Sequence, residues 1–265
     1  MADPLLPSDA GGSTGRPCGR GVFLADLTWP EAERLLRPET VVVLPLGAAA
    51  KEHGPHLKLK TDRVQADYLA ARLAERSAVV IAPTVTYSYY PAFTEYPGSI
   101  TLRRETARDL VVDVCRSLAA FGPRRFYVLN TGISTLRPLA DAAAALAADG
   151  ILLRYTDPRG LSPDLERRIA RQEGGTHADE VETSRMLYIA PEAVDMSKAV
   201  KDYHPEDGPG GLTRDPSRPG VYSPTGVWGD ATLATAEKGR ALTEAAVEAI
   251  AGEVKAIGAA TPPSA

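Results

Sequence analysis

Residues 41–46 read Val-Val-Val-Leu-Pro-Leu and stop at Gly47. A short apolar run without alternation has no face to give to water, so it fits a strand covered on both sides, as in parallel sheets layered between helices. The rest of the chain continues that alternation. Residues 62–76 carry Val64, Tyr68, Leu69 and Leu73 at helical spacing, and 78–83 form a second apolar run. Residues 101–121 repeat the helical pattern up to Gly122-Pro123, ahead of a third strand at 125–130. An Ala-rich helix at 138–149 closes at Gly150, and 151–155 supply a fourth strand. Upstream, Thr28 and Glu31 have capping-box spacing around Pro30, which marks a first helix.

Strands separated by helices of this length imply right-handed parallel crossovers, hence an α/β fold, a three-layer α/β/α sandwich with a mainly parallel sheet. Ligands in such sheets sit beyond the carboxyl ends of the strands, which puts the segments after Leu46, Pro83 and Leu129 on one rim. The Pro- and Gly-rich stretch 203–225 reads as an excursion over that rim, and 231–257 as a closing helix. One domain over 21–258 is expected, with a disordered leader at 1–20 and a flexible tail at 259–265.

Charge narrows the function. Across 265 residues, 30 Lys+Arg oppose 34 Asp+Glu for a net charge of -4 without a basic stripe, which argues against nucleic-acid binding. No apolar stretch approaches the roughly 20 residues of a membrane helix. Cys18 and Cys115 make no disulfide framework, and residues 1–20 lack the apolar centre of a secretory signal. The cytoplasm is therefore the expected location, with a processed exported form as the alternative.

Three of the four histidines fall in two polar clusters. The first holds Glu52, His53, His56 and Asp62 on a loop leaving the first buried strand. The second holds His177, Asp179, Glu180 and Glu182 at the mouth of a helix. Imidazole mixed with carboxylate suits a hydrolytic metal site; the same acids would also favour helix starts with no metal at all. Gly174-Gly175 could let backbone approach a ligand. Tyr87, Tyr89, Tyr90, Phe93 and Tyr96 form an aromatic segment suited to a pocket wall or a subunit interface. Trp228 suits a pocket border or the core, and His204 a solvated loop. No phosphate-binding glycine fingerprint or nucleophile elbow is present.

The run Glu52-His53-Gly54-Pro55-His56-Leu57 with Thr61-Asp62 is similar to the signature of the creatininase family. Pro97-Gly98-Ser99-Ile100-Thr101-Leu102, His177-Ala178-Asp179-Glu180-Val181-Glu182-Thr183-Ser184 and Gly226-Val227-Trp228-Gly229-Asp230 resemble further family segments in the same order. The resemblance implies hydrolysis of an amide or related C-N bond with one or two divalent ions (Zn, Mn or Fe), and a homo-oligomer, with a hexamer as the form many family members take. Carried over by residue, it implies His53, Asp62 and Glu180 as metal ligands, Asp62 as the bridge between two ions, and His177 as proton shuttle. A divalent ion would lower the pKa of its water from about 15.7 to about 7.

Two departures stand out. Lys51 takes the position of the family's first Glu ligand, and Gly132 that of a His ligand. Two arrangements accommodate the first departure: a bulge that brings Glu52 to the metal, or Lys51 as a fixed cation that polarises the carbonyl. Ser134, Thr135, Trp228 and His56 are the candidate substrate contacts. The expected activity is a metal-dependent amidohydrolase acting on a small cyclic or N-substituted amide other than creatinine. The alternative is a non-catalytic ligand-binding or scaffold protein on the same fold.

Overall fold

The computed structural model describes residues 20–203 and 211–264. Cys18, His204 and nearly all of the expected leader lie outside the described residues. Five strands form the main sheet: β1 (Val22–Phe23), β2 (Val41–Leu46), β3 (Val80–Ile81), β4 (Arg125–Asn130) and β5 (Leu152–Tyr155). They run parallel in the order β1-β3-β2-β4-β5. The helices are α1 (Trp29–Leu35), α2 (Thr61–Ala74), α3 (Arg104–Ala119), α4 (Leu136–Ala147), α5 (Pro163–Ile169), α6 (Glu180–Ile189) and α7 (Ala236–Ala259).

The uninterrupted apolar strands are explained by two cores, one on each side of the sheet. Val42, Leu44 and Leu46 of β2 and Phe126 and Val128 of β4 pack against Val111, Val112 and Cys115 of α3 and Leu139, Ala142 and Leu146 of α4. Their sequence neighbours Val41, Val43, Tyr127 and Leu129 pack against Ala66, Leu69 and Leu73 of α2 and Val247, Ile250 and Val254 of α7. Alternate residues of each strand thus feed opposite layers, the three-layer arrangement expected from the sequence. Cys115 is a free, buried thiol, pushed up to about 12 by burial.

Local chemistry accounts for the boundaries. Thr28 and Glu31 close the capping box at the start of α1. Past β3, Ala82 N still donates to Val43 O at 2.8 Å, and the following Pro83 has no N–H to continue that pattern. The closing helix starts at Ala236 and not at 231, because Asp230 caps a separate short turn over Ala231–Leu233 and Thr235 then caps α7. Within the expected excursion, β7 (Leu212–Thr213) pairs with β8 (Val221–Tyr222), while β6 (Lys201–Asp202) pairs with β9 (Gly229–Asp230). The expected flexible tail begins with a tie, Arg125 Nε donating to Ala260 O at 2.9 Å. Among the described residues no helix is long and apolar enough to cross a membrane.

The register Leu46↔Asn130 sets the ends of the two central strands side by side, so the loops after β2 and β4 leave the sheet together. Phe126, 1 % exposed, anchors the layer against α3 and α4. Phe126→Ala should cost about 3–5 kcal/mol and lower Tm by on the order of 10 °C in thermal unfolding followed by circular dichroism.

Candidate metal centre

Three segments converge above the ends of β2 and β4: residues 47–62, the aromatic stretch after β3, and the mouth of α6. Gly47 permits the first meeting, since a Cβ there would collide with the Asp62 backbone carbonyl. With the turn that close, Arg63 N donates to Ala48 O at 3.1 Å, and Asp62 enters the first turn of α2 facing back at its own loop.

Asp62, 1 % exposed, divides its two oxygens. Oδ1 lies 3.0 Å from His53 Nε2, and Oδ2 lies 2.8 Å from Lys51 Nζ. Burial alone would raise the carboxyl, but the Lys51 and His53 charges outweigh it and hold Asp62 far below the usual carboxylate range. Lys51 is in turn raised, burial being outweighed by Asp62 and Glu182.

His53 is fully buried, and its ring orientation follows from its partners. Nδ1 sits 2.9 Å from the Lys51 carbonyl, which can only accept, so Nδ1 carries a hydrogen. Nε2 then faces two carboxylates, Asp62 Oδ1 and, at 3.6 Å, Glu182 Oε1. Only a proton or a cation satisfies that position. Burial and Lys51 push the imidazole down, Asp62 and Glu182 push it up, and the net shift is upward.

The α6 mouth is built by a reciprocal cap. Asp179 accepts from Glu182 N at 2.9 Å, and Glu182 Oε2 accepts from Ala178 N at 2.8 Å. Ala178 sits at φ 48, in the left-handed region, where an alanine is strained; the reversal points His177 into the cleft while Asp179 caps the helix. His177 Nε2 lies 3.0 Å from both Glu52 O and Glu52 Oε2, so it carries a hydrogen, and Nδ1 faces Glu182 Oε2 at 3.8 Å. Ligand atoms of His53, His177 and Glu182 all lie within 4.8 Å of one another. Two imidazole nitrogens and a carboxylate at that spacing fit one divalent cation. Gln65 Nε2 supports Glu182 from behind at 3.2 Å.

A cavity of about 660 Å³ opens above these groups, and its wall includes Lys51, Tyr90, Phe93, Ser134, Arg185 and Trp228. Several expected site residues stand elsewhere. Glu180, expected as the helix's metal ligand, is fully buried and faces the opposite way, accepting from Lys238 Nζ and from the backbone of Arg171 and Gln172. The carboxylate at the cluster is Glu182. Glu52 does not enter the cluster as a ligand; it orients His177. Thr135 is buried, its hydroxyl bonded to Asn130 Oδ1 and Gly132 O at 2.6 Å each, and it is absent from the cavity wall. His56 is likewise off the wall, with Nε2 2.7 Å from Thr183 Oγ1 and burial pushing it down to about 4. Gly175 lets the chain pass against Trp228, whose carbonyl a Cβ there would strike, and Gly174 and Gly175 both line the cavity.

Residues 25–254 match the family described as creatininase, creatinine amidohydrolase. The chain belongs to the creatininase family. Among curated relatives, a creatinine amidohydrolase of Pseudomonas putida is 27 % identical over 270 residues, covering 89 % of this chain and 97 % of that one. A mycofactocin precursor peptide peptidase of Mycobacterium ulcerans is 29 % identical over 230 residues, covering 80 % of each. A solved zinc–zinc form of a creatininase mutant superposes with a TM-score of 0.75 at 25 % identity, over 90 % of this chain and 98 % of that one. A manganese form gives 0.74 at 25 %, over 89 % and 98 %. These relatives are hydrolases, and creatininase-family membership supports that broad class here.

The two acids of α6 separate by experiment. Glu182→Gln should weaken zinc binding at least tenfold in calorimetric titration with little change in Tm. Glu180→Gln, which strands Lys238, should cost about 3 kcal/mol of stability and leave zinc affinity unchanged.

Proposed function

We propose that this chain is a metal-dependent hydrolase that cleaves a C-N bond of a small molecule, using one divalent cation held by His53, His177 and Glu182. The observation that carries the reading is His53 Nε2, which faces two carboxylate oxygens at a cavity floor with its other nitrogen already committed to a carbonyl. When bound, the ion would lower the pKa of water and polarise the substrate carbonyl. The chain's own groups do the rest.

Glu52 takes the Nε2 hydrogen of His177 and so presents its Nδ1 lone pair to the cluster. Asp62 fixes the ring of His53 and balances the charge of Lys51. His177 thereby moves from the expected proton shuttle to a ligand. The Phe93 ring lies tilted against that of His177, centroids 4.5 Å apart, and with Trp228 gives the cavity an apolar side that limits water. Ser134 lies on the opposite polar rim as a substrate contact.

A volume of about 660 Å³ suits a small molecule, and a lactam, formamide or cyclic urea fits its mixed wall. Creatinine is not the expected substrate, because Lys51 and Gly132 have rebuilt the cluster that the resemblance implies. Assembly into a homo-oligomer belongs to the same proposal on the family likeness alone, and a cytoplasmic location on the cysteine usage and the composition of residues 1–20.

Protein purified without chelator should carry close to one zinc, manganese or iron ion per chain by elemental analysis, and removing it should abolish hydrolysis across a panel of lactams, formamides, cyclic ureas and short peptides. His177→Ala should lose both metal and turnover. Retention of full metal by that variant would return His177 to the shuttle role, and a wild type with no metal and no hydrolysis would favour the ligand-binding alternative.

A further inference from the structure

Tyr90 is a large buried side chain at 2 % exposure, yet its hydroxyl has no hydrogen-bond partner among the described residues. A buried phenol left unpaired costs roughly 1–3 kcal/mol, so such groups normally have a partner. The ring is held deliberately. Thr101 Oγ1 accepts from Tyr90 N at 2.8 Å, and the ring edge closes on Gly132, where an added Cβ would lie 3.5 Å from Cε1. Tyr90 therefore packs against the position at which the sequence lacks an expected imidazole, and it lines the same cavity as Lys51.

Lys51 stands beside it. Its ammonium is 5 % exposed by residue, 5.7 Å from the centroid of the Tyr90 ring and 4.8 Å from that of Phe93. It touches Asp62 Oδ2, the oxygen that His53 does not use. An ammonium has three donors, and Asp62 Oδ2 meets one side of it. Burial, and then the charge of Asp62, raises the phenol well above its ordinary value, so Tyr90 stays protonated and serves as a donor.

We propose that Lys51 Nζ and the Tyr90 hydroxyl form a donor pair that binds the carbonyl or carboxylate oxygen of the substrate, and that this pair takes the place of a second cation. The inference rests on the metal-dependent reading above and deepens it. An amide carbonyl, or the carboxylate released from it, supplies the acceptor that the phenol lacks, in the cavity that Tyr90 and Lys51 share with His177 and Glu182. Lys51 and Tyr90 would then share, with the ion when bound, the charge that develops on the oxygen.

Acetate, a carboxylate of the product class, is the probe. Metal-free protein is titrated calorimetrically with zinc, and the zinc-loaded form is then titrated with acetate, for wild type, Tyr90→Phe and Lys51→Met. Wild type should take one zinc ion, and Tyr90→Phe should keep that stoichiometry and affinity while binding acetate about tenfold more weakly. Lys51→Met should weaken acetate by at least as much. Two zinc ions in wild type, acetate affinity in Tyr90→Phe within twofold of wild type, or no acetate binding in wild type would each overturn the donor pair. Failure to bind any zinc would instead defeat the metal reading, and the same acetate titration of metal-free protein would still decide the pair.

Discussion

A buried ion pair organises the active end of this molecule. Lys51 and Asp62 lie on opposite ends of one loop, both almost inaccessible, 2.8 Å apart. Taking two charges out of water is costly, and their attraction compensates only when the remaining polar atoms are also met. Here Asp62 gives its other oxygen to His53, and His53 gives its other nitrogen back to the Lys51 carbonyl. The loop is closed on itself by this ring of contacts, so the histidine cannot turn without disturbing the lysine and the helix start together.

Around that ring the fold brings two helix beginnings. Asp62 lies in the first turn of α2 and Glu182 in the first turn of α6. Each acid is favoured by the positive end of its own helix, which helps hold two carboxylates near one another in a dry place. The all-parallel sheet makes the meeting possible, because every strand delivers its following loop to the same edge. Family relatives described in zinc–zinc and manganese forms share the backbone arrangement.

Much of the fold was legible because periodicity reports burial directly. The apolar runs at β2 and β4 could belong only to strands covered on both faces, and β4 runs over Arg125–Asn130 as its residues imply. The weaker edges were not legible. β1 and β3 have two residues each in ladder geometry, too short a stretch to carry a pattern. In the site, the loop cluster was readable from residue type and spacing, whereas the acid of α6 that faces the cleft is Glu182, where the resemblance implied Glu180. The signal was present, since Asp179 and Glu182 have the spacing of a reciprocal helix cap, which fixes the later acid at the mouth. Tyr90 had no such marker: its place beside Gly132 comes from tertiary packing alone.

Glu182 belongs to two structures at once, the first turn of α6 and the floor of the cleft. At the third position of a helix start, Glu and Gln complete a reciprocal cap alike, so drift can ordinarily exchange them. That freedom is withdrawn here. An amide here keeps the cap but loses the charge at the cleft floor, and a shorter side chain also loosens the peptide that aims His177, so selectivity in descendants of this protein is expected to change through the outer wall of the cleft and not through its base.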